Sequence, residues 1–172
     1  MAKNFNEQTF RARVNPAEGS RPKATGNPLP NGFKPSESQV IHDALRLAGL
    51  QWFDGDGCIL GKKDSFELSF TPGESAQFRW AVMAFPLYNM NMPNAAEIAL
   101  HFLAEAHGMI HVLDFQYQVA INMNTENLEF MMQLPVHGVV ASQLADLIKH
   151  FFEALSESVT KELAQILEEL QQ

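Results

Sequence analysis

Apolar and polar positions alternate with two different periods along this chain, and the changes of period divide it into helices and strands. Val40, Ile41, Ala44, Leu45, Leu47 and Ala48 recur at helical spacing, and Gly49 supplies a stop. Ser36 and Gln39, directly after Pro35, have the spacing of a capping box, so a first helix is expected from Ser36. Cys58-Ile59-Leu60 follows the turn Asp54-Gly55-Asp56-Gly57 and reads as a short strand. After Lys62-Lys63-Asp64, Phe66, Leu68 and Phe70 alternate with Glu67 and Ser69, the pattern of a half-buried strand. Thr71-Pro72-Gly73-Glu74 predicts a further turn. In the third strand, Phe78 to Phe85, one face carries Phe78, Trp80, Val82 and Ala84. Met83 and Phe85 make the other face apolar too, as in a central strand. Pro86 to Pro93 reads as a loop.

Asn94 and Glu97 mark the start of a second helix that includes Ile98, Leu100, Phe102, Leu103 and Ala106, with Gly108 as its stop. Its apolar residues point several ways, which suits a helix touching more than one layer. Met109 to Leu113 is apolar without a clear period. Tyr117, Val119, Ile121 and Met123, then Leu128, Phe130, Met132 and Leu134, alternate on either side of the turn Asn124-Thr125-Glu126-Asn127, predicting a hairpin. A last helix is expected from Val139 to Leu170, with Leu144, Ile148, Phe151, Leu155, Val159, Leu163, Ile166 and Leu170 at steps of three and four. At about 1.5 Å per residue it would span about 48 Å. The expected fold is therefore α+β: an antiparallel five-stranded sheet covered by three helices, in the order α-βββ-α-ββ-α.

Residues 1–35 contain Pro16, Pro22, Pro28, Pro30 and Pro35 and show no 2- or 3.6-residue apolar period across their length. Such a stretch buries too little surface to offset its ordering entropy, so it is expected to be a disordered basic tail. Phe5, Phe10 and Phe33 are its only aromatic residues. Residues 36–172 would form a single domain, large enough to hold a core without disulfides or a metal. The net charge is −8, and it is unevenly placed: residues 1–38 carry +3 and residues 39–172 carry −11. An acidic body repels nucleic acid and anionic membrane, so neither is expected as a partner. One cysteine, the absence of a signal-like apolar start and the absence of a run of about 20 apolar residues lead to the expectation of a cytoplasmic protein.

The chain offers little for chemistry. Asp54-Gly55-Asp56-Gly57 fails as a calcium loop, because Cys58 and Ile59 stand at its fifth and sixth positions. His101, His107 and His111 lie close together, but no cysteine or carboxylate completes a metal-ligand spacing. Cys58 sits among apolar neighbours, where a thiol behaves as a small hydrophobe. There is no G-x-S-x-G, phosphate loop or dinucleotide fingerprint. The expectation is a protein with no catalytic residues, no metal and no cofactor. The Met residues, among them Met83, Met90, Met92, Met109, Met123, Met131 and Met132, suit either core packing or a surface that accepts varied partners.

From about Ser38 to Val159 the chain resembles the type III secretion chaperones of the Tir-chaperone class. The resemblance rests on several stretches. Ala44-Leu45-Arg46-Leu47-Ala48-Gly49-Leu50 would end the first helix. Asp54-Gly55-Asp56-Gly57-Cys58-Ile59-Leu60 would lead into the first strand, and Phe66-Glu67-Leu68-Ser69-Phe70 would be the second. Ala99-Leu100-His101-Phe102-Leu103-Ala104-Glu105-Ala106 would match the second helix, and Leu128 to Pro135 the strand before the last helix. The tail and the length of the last helix depart from that pattern. The resemblance implies an acidic homodimer that binds the N-terminal segment of a secreted effector in extended form, by strand addition at a sheet edge. Two alternatives keep the fold but not the role: a general protein-interaction or adaptor module, and a small-ligand binding protein or enzyme using the cleft between sheet and helices.

The expected substrate-binding face comprises Leu45, Leu47, Leu50, Ile59, Phe66 and Leu68, because the strand at Cys58–Leu60 comes first in sequence and would lie at an open edge. The alternative for these same residues, Phe66 and Leu68 above all, is an ordinary core. The expected dimer interface comprises Leu100, Leu103, Met109, Ile110, Val112 and Leu113, where apolar residues exceed what one sheet face can cover.

Overall fold

A computed structural model describes residues 26–113 and 118–171, except for the side chains of 105–113 and of Ser156. A helix α1 (Pro35–Leu47) leads into four strands, β1 (Gln51–Asp54), β2 (Ile59–Lys63), β3 (Phe66–Glu74) and β4 (Arg79–Asn89). Helix α2 (Ala95–Leu113) follows, then the hairpin of β5 (Gln118–Asn122) and β6 (Asn127–Pro135). The chain ends in α3 (Ala141–Ala154), a π-helical segment (Leu155–Val159) and α4 (Thr160–Glu169), which continue one another. The six strands form one antiparallel sheet in the order β1-β2-β3-β4-β6-β5.

Alternation along the strands decides which face is buried. Ile59, Phe70, Met83 and Met132 lie in register across four strands, and all four are buried. Three helices pack on this face. Leu45 of α1 lies over Gly61, where a Cβ would come within 2.8 Å of the leucine, so only glycine admits the helix this closely. Phe102 of α2 meets Phe130 edge-on at 5.9 Å, and Phe152 of α3 meets Phe66 at 5.3 Å. The opposite face carries Leu60, Ser69, Val82, Trp80 and Gln133, all partly exposed, as an antiparallel sheet allows.

The sheet has six strands rather than five. The added one, β1, is four residues long and exposed throughout, so it has no buried face for alternation to reveal. Thr71-Pro72-Gly73-Glu74 continues β3 instead of turning. Pairing with β2 ends at Phe70, so Pro72 is paired on one side only, where its missing N–H is tolerated. Trp80 lies across Gly73 from the neighbouring strand, within 2.2 Å of where a Cβ would stand. In β4 the buried positions are Ala81, Met83, Ala84 and Phe85, while Trp80 and Val82, on the open side, are partly exposed. That strand also runs on to Asn89, into the first half of the expected loop. Helix α2 does not stop at Gly108; it extends to Leu113, taking in the aperiodic Met109–Leu113 stretch.

Residues 26–34, expected to belong to the tail, are part of the fold. Phe33 has no exposed surface and joins the core. Asn31 is 2% exposed and donates to Ser38 Oγ at 3.0 Å and Asp54 Oδ1 at 2.9 Å, while its own Oδ1 accepts the Phe33 amide. The expectation for residues 1–25 lies outside the described residues. Helix α1 begins at Pro35, and its cap is Glu37 rather than the Ser36–Gln39 pair: the Glu37 carboxylate accepts the Lys34 amide at 2.8 Å. Gln39 instead donates to Asp43, one turn on.

Glu37 has no solvent exposure and is the centre of an ionic cluster. Arg79 of β4 donates Nε to Oε1 at 2.8 Å and Nη2 to Oε2 at 3.1 Å. His137, in the loop before α3, lies 3.0 Å from Oε1. Arg79 also reaches Glu74 and the Gly32 carbonyl. Burial alone would raise the Glu37 carboxyl. The Arg79 hydrogen bonds, the Lys34 amide and the charges of Arg79 and His137 together hold it below the ordinary carboxylate range. Burial holds His137 below its own ordinary range against the pull of Glu37, and Arg79 and Lys34 add to the depression.

The C-terminal helix shows why a π-helical segment forms where it does. Phe151, Leu155 and Val159 are buried, and Leu163 packs against the core, four residues apart each time. A step of four in an α-helix overshoots one turn by about 40°, so three such steps would turn the stripe away from the sheet. The wider π turn at Leu155–Val159 absorbs that drift. Beyond it, α4 has no fully buried residue, and His101 of α2 meets Glu162 at 2.7 Å.

Two outcomes follow from this packing. Phe33→Ala should cost about 3–5 kcal/mol in urea unfolding, the range for a buried phenylalanine; a loss under about 1 kcal/mol would place Phe33 outside the core. Acid should also destabilise the fold in two stages. Because the folded state disfavours the proton on His137, stability is full above about pH 6.5 and falls as pH drops below it. Glu37, also held low, removes more below about pH 4.3. The melting temperature of a His137→Gln chain should change less between pH 7 and pH 5 than that of the natural chain, and an equal slope would show that His137 does not contribute.

Candidate functional site

The residues expected to form a binding face do not form one. Leu45, Ile59 and Leu68 have no exposed surface, and Leu50 is 6% exposed. Phe66 is half-buried between Phe85 and Phe152. Only Leu47 is exposed. The physical reason is the position of β2: it is not an edge strand, because β1 pairs along it from Gln51↔Lys62 to Asp54↔Ile59. The edge on this side of the sheet is β1, and its outer side, like that of β5 at the other end, has no strand partner among the described residues.

That edge is aromatic. Trp52 is 40% exposed and Phe53 is 50% exposed, on opposite faces of the strand because side chains alternate. Trp52 lies on the helix side, stacked on His42 of α1 with ring centroids 3.9 Å apart and planes 10° from parallel. Phe53 lies on the open side, with the Lys62 ammonium 5.8 Å from its ring centre. Lys62 in turn pairs with Glu67 at 2.6 Å. The Gly57 amide donates to the Pro30 carbonyl at 2.9 Å, which fixes the β1–β2 turn to the N-terminal segment. An exposed strand edge with apolar groups on both faces is a template for another extended chain. One signal for it was present in the sequence: Trp52-Phe53 stands between the helix stop Gly49 and the turn Asp54–Gly57, so two aromatic residues of high strand propensity precede a turn.

Ser38, His42 and Asp54 come together on the same side of the fold, in types that invite comparison with a nucleophile–base–acid arrangement. The geometry fails it. His42 Nε2 lies 2.8 Å from Asp54 Oδ1 and 3.4 Å from Ser38 Oγ, so both partners share one ring nitrogen. A relay needs the acid and the nucleophile on different nitrogens. Ser38 is also 2% exposed and already accepts from Asn31. The network serves to hold the N-terminal segment, α1 and β1 together. Cys58 is partly buried; burial, then the charges of Asp56 and Glu67, push its thiol up, away from the reactive thiolate. Among the described residues no three His, Cys, Asp or Glu side chains are placed to hold a metal ion.

The second surface lies on α2. Ile98, Ala99 and Phe102 are buried against the sheet, whereas Leu100 is 70% exposed and Leu103 is 42% exposed. Ala96, Leu100 and Leu103 fall at i, i+4 and i+7, a second stripe beside the buried one. The side chains of Met109, Ile110, Val112 and Leu113, expected in the same interface, lie outside the described residues, although all four belong to the helix. Ile121 and Met123, at the β5 end of the sheet, are exposed too.

No family model, no curated protein and no solved structure matches this chain. Among the described residues, no helix is long and apolar enough to cross a membrane.

Substitution separates the edge from the core. Phe53→Glu should leave the melting temperature within a few degrees of the natural chain, because Phe53 is half in water. Ile59→Glu, six residues on, would place a carboxylate among Phe70 and its neighbours and should abolish folding. Equal tolerance of both changes would contradict the placement of β1 outside β2.

Proposed function

We propose that this chain is a chaperone-type binding protein: a cytoplasmic homodimer that holds the N-terminal segment of a secreted effector in extended form, without catalysis or a cofactor. The observation that carries the reading is the open β1 edge with Trp52 and Phe53 exposed on its two faces. Capture by strand addition needs unpaired backbone on the receiving strand for affinity and apolar contacts on both faces for selectivity. It requires no nucleophile and no metal. The order of elements supports the reading as well: apart from the added β1, the helices and strands follow the sequence implied by the resemblance to type III secretion chaperones. The second subunit would cover Leu100 and Leu103 on α2, a stripe that the chain's own sheet leaves exposed.

The reading moves the capture surface from the residues first expected to the neighbouring strand. Leu45, Leu50, Ile59 and Leu68 would belong to the core behind this edge rather than touch the partner. Purified from its native cells, the chain should carry a partner whose N-terminal region, identified by mass spectrometry, protects Gln51–Asp54 from hydrogen exchange. Phe53→Glu should reduce the recovered partner at least ten-fold. Leu100→Glu should convert a dimer to a monomer in light scattering. Protection confined to other strands, or a monomeric natural chain at low micromolar concentration, would overturn the proposal.

A further inference from the structure

The open edge has a candidate occupant within the chain itself. Residues 1–25 precede the described fold and carry five Lys/Arg against two Glu, a net +3, while residues 26–172 carry −11. The fold determines where this segment departs. The Pro30 carbonyl accepts the Gly57 amide, and Asn31 holds Asp54, the last residue of β1. The chain therefore leaves the body beside the Asp54 end of the open edge. The β1–β2 hairpin presents two exposed carboxylates there, Asp54 and Asp56.

One short stretch of residues 1–25 has the right form. Phe10, Ala12 and Val14 alternate with Thr9, Arg11 and Arg13, an alternation too brief to signal a strand by itself. Laid along β1, it would turn its apolar side toward Phe53 and its two arginines toward Asp54 and Asp56. The reach is sufficient. The twelve or so residues between Val14 and Gly26 can span about 40 Å, and four-residue β1 is about 13 Å long.

We propose that residues 9–14 add to the β1 edge of their own chain as a displaceable strand, so that a partner must compete with the chain's own N-terminus for the edge. This rests on the reading of β1 as the capture edge, and it adds a regulator to it. A strand tethered so close acts at a high effective concentration, which makes a weak intrinsic contact sufficient to shield exposed aromatics. A charge-assisted contact of this kind weakens as salt screens it.

Nuclear magnetic resonance of the full-length chain tests this. A nitroxide is attached at Gln8→Cys in a Cys58→Ser background, and the amide signals of Gln51–Asp54 are observed. The expected result is a several-fold loss of their intensity, restored by reducing the nitroxide, by Arg11→Glu with Arg13→Glu, or by 0.5 M salt. No loss at β1, or loss confined to other strands, overturns the proposal. Mixing a spin-labelled chain lacking isotope with an isotope-labelled chain lacking the nitroxide should leave the signals intact; equal loss in that mixture would mean that a second copy's N-terminus fills the edge, and would overturn docking in cis. The result is separable from partner capture. Signal loss without any capture leaves the docked strand standing and removes the chaperone reading; capture without signal loss does the reverse. Arg11→Glu with Arg13→Glu should also increase partner binding several-fold, and unchanged binding would show that the two do not compete.

Discussion

A carboxylate without solvent must be matched by donors, and Glu37, in the first turn of α1, is matched by groups from three other parts of the chain. Arg79 brings the centre of the sheet, His137 the loop before α3, and the Lys34 amide the N-terminal segment. Removing one partner from such a cluster leaves the others as buried, unpaired charge, which costs about 3–5 kcal/mol. The arrangement therefore does more than add stability. It sets the angle at which α1 leaves the N-terminal segment, and with it the position of His42, Leu45 and the strand that returns along the helix. The β1 edge is where it is because α1 is held at its start by an interaction with few geometric alternatives.

Edge strands are commonly blunted by lysine, proline, a bulge or shortness. In β1, Gln51-Trp52-Phe53-Asp54, shortness is the only one of these devices. Two aromatic side chains stand where charge would be protective, and one is held in place by stacking on His42. This favours a role for the edge in recognition, since Trp52 brings a rigid surface with part of its ordering entropy already spent in the folded chain. The hairpin at the other end of the sheet is pinned differently. Glu129 of β6 is 4% exposed and accepts from Asn122 and Thr125, so that turn is locked by its own polar groups.

Helix α2 carries the same contrast between support and display. Its buried stripe, with Phe102 against Phe130, anchors it to the sheet, and the adjacent stripe of Leu100 and Leu103 is left to solvent. The two stripes differ by little in composition; only the direction in which the sheet lies separates anchor from display.

Periodicity in the sequence determined much of this protein: α1, the hairpin of β5 and β6, the long C-terminal helix and the antiparallel α+β class. Leu128, Phe130, Met132 and Leu134 are buried as their alternation requires, because a strand with one buried face writes that face directly into its residues. Alternation could not reveal β1, whose four residues are all exposed, or the continuation of β3 through Pro72 and Gly73, where a turn-forming composition is overridden by pairing to β4 and by Trp80. Phe33 and Asn31 were hidden for a related reason, since a segment without regular structure gives no period even when it is fully buried. The candidate site depended most on the fold. Leu45, Ile59 and Leu68 are apolar whether they line a core or a groove, and composition is the same in both cases. Which one they serve was decided by the helices packed on that face of the sheet, and by the added strand β1, which took the edge position that β2 was expected to hold.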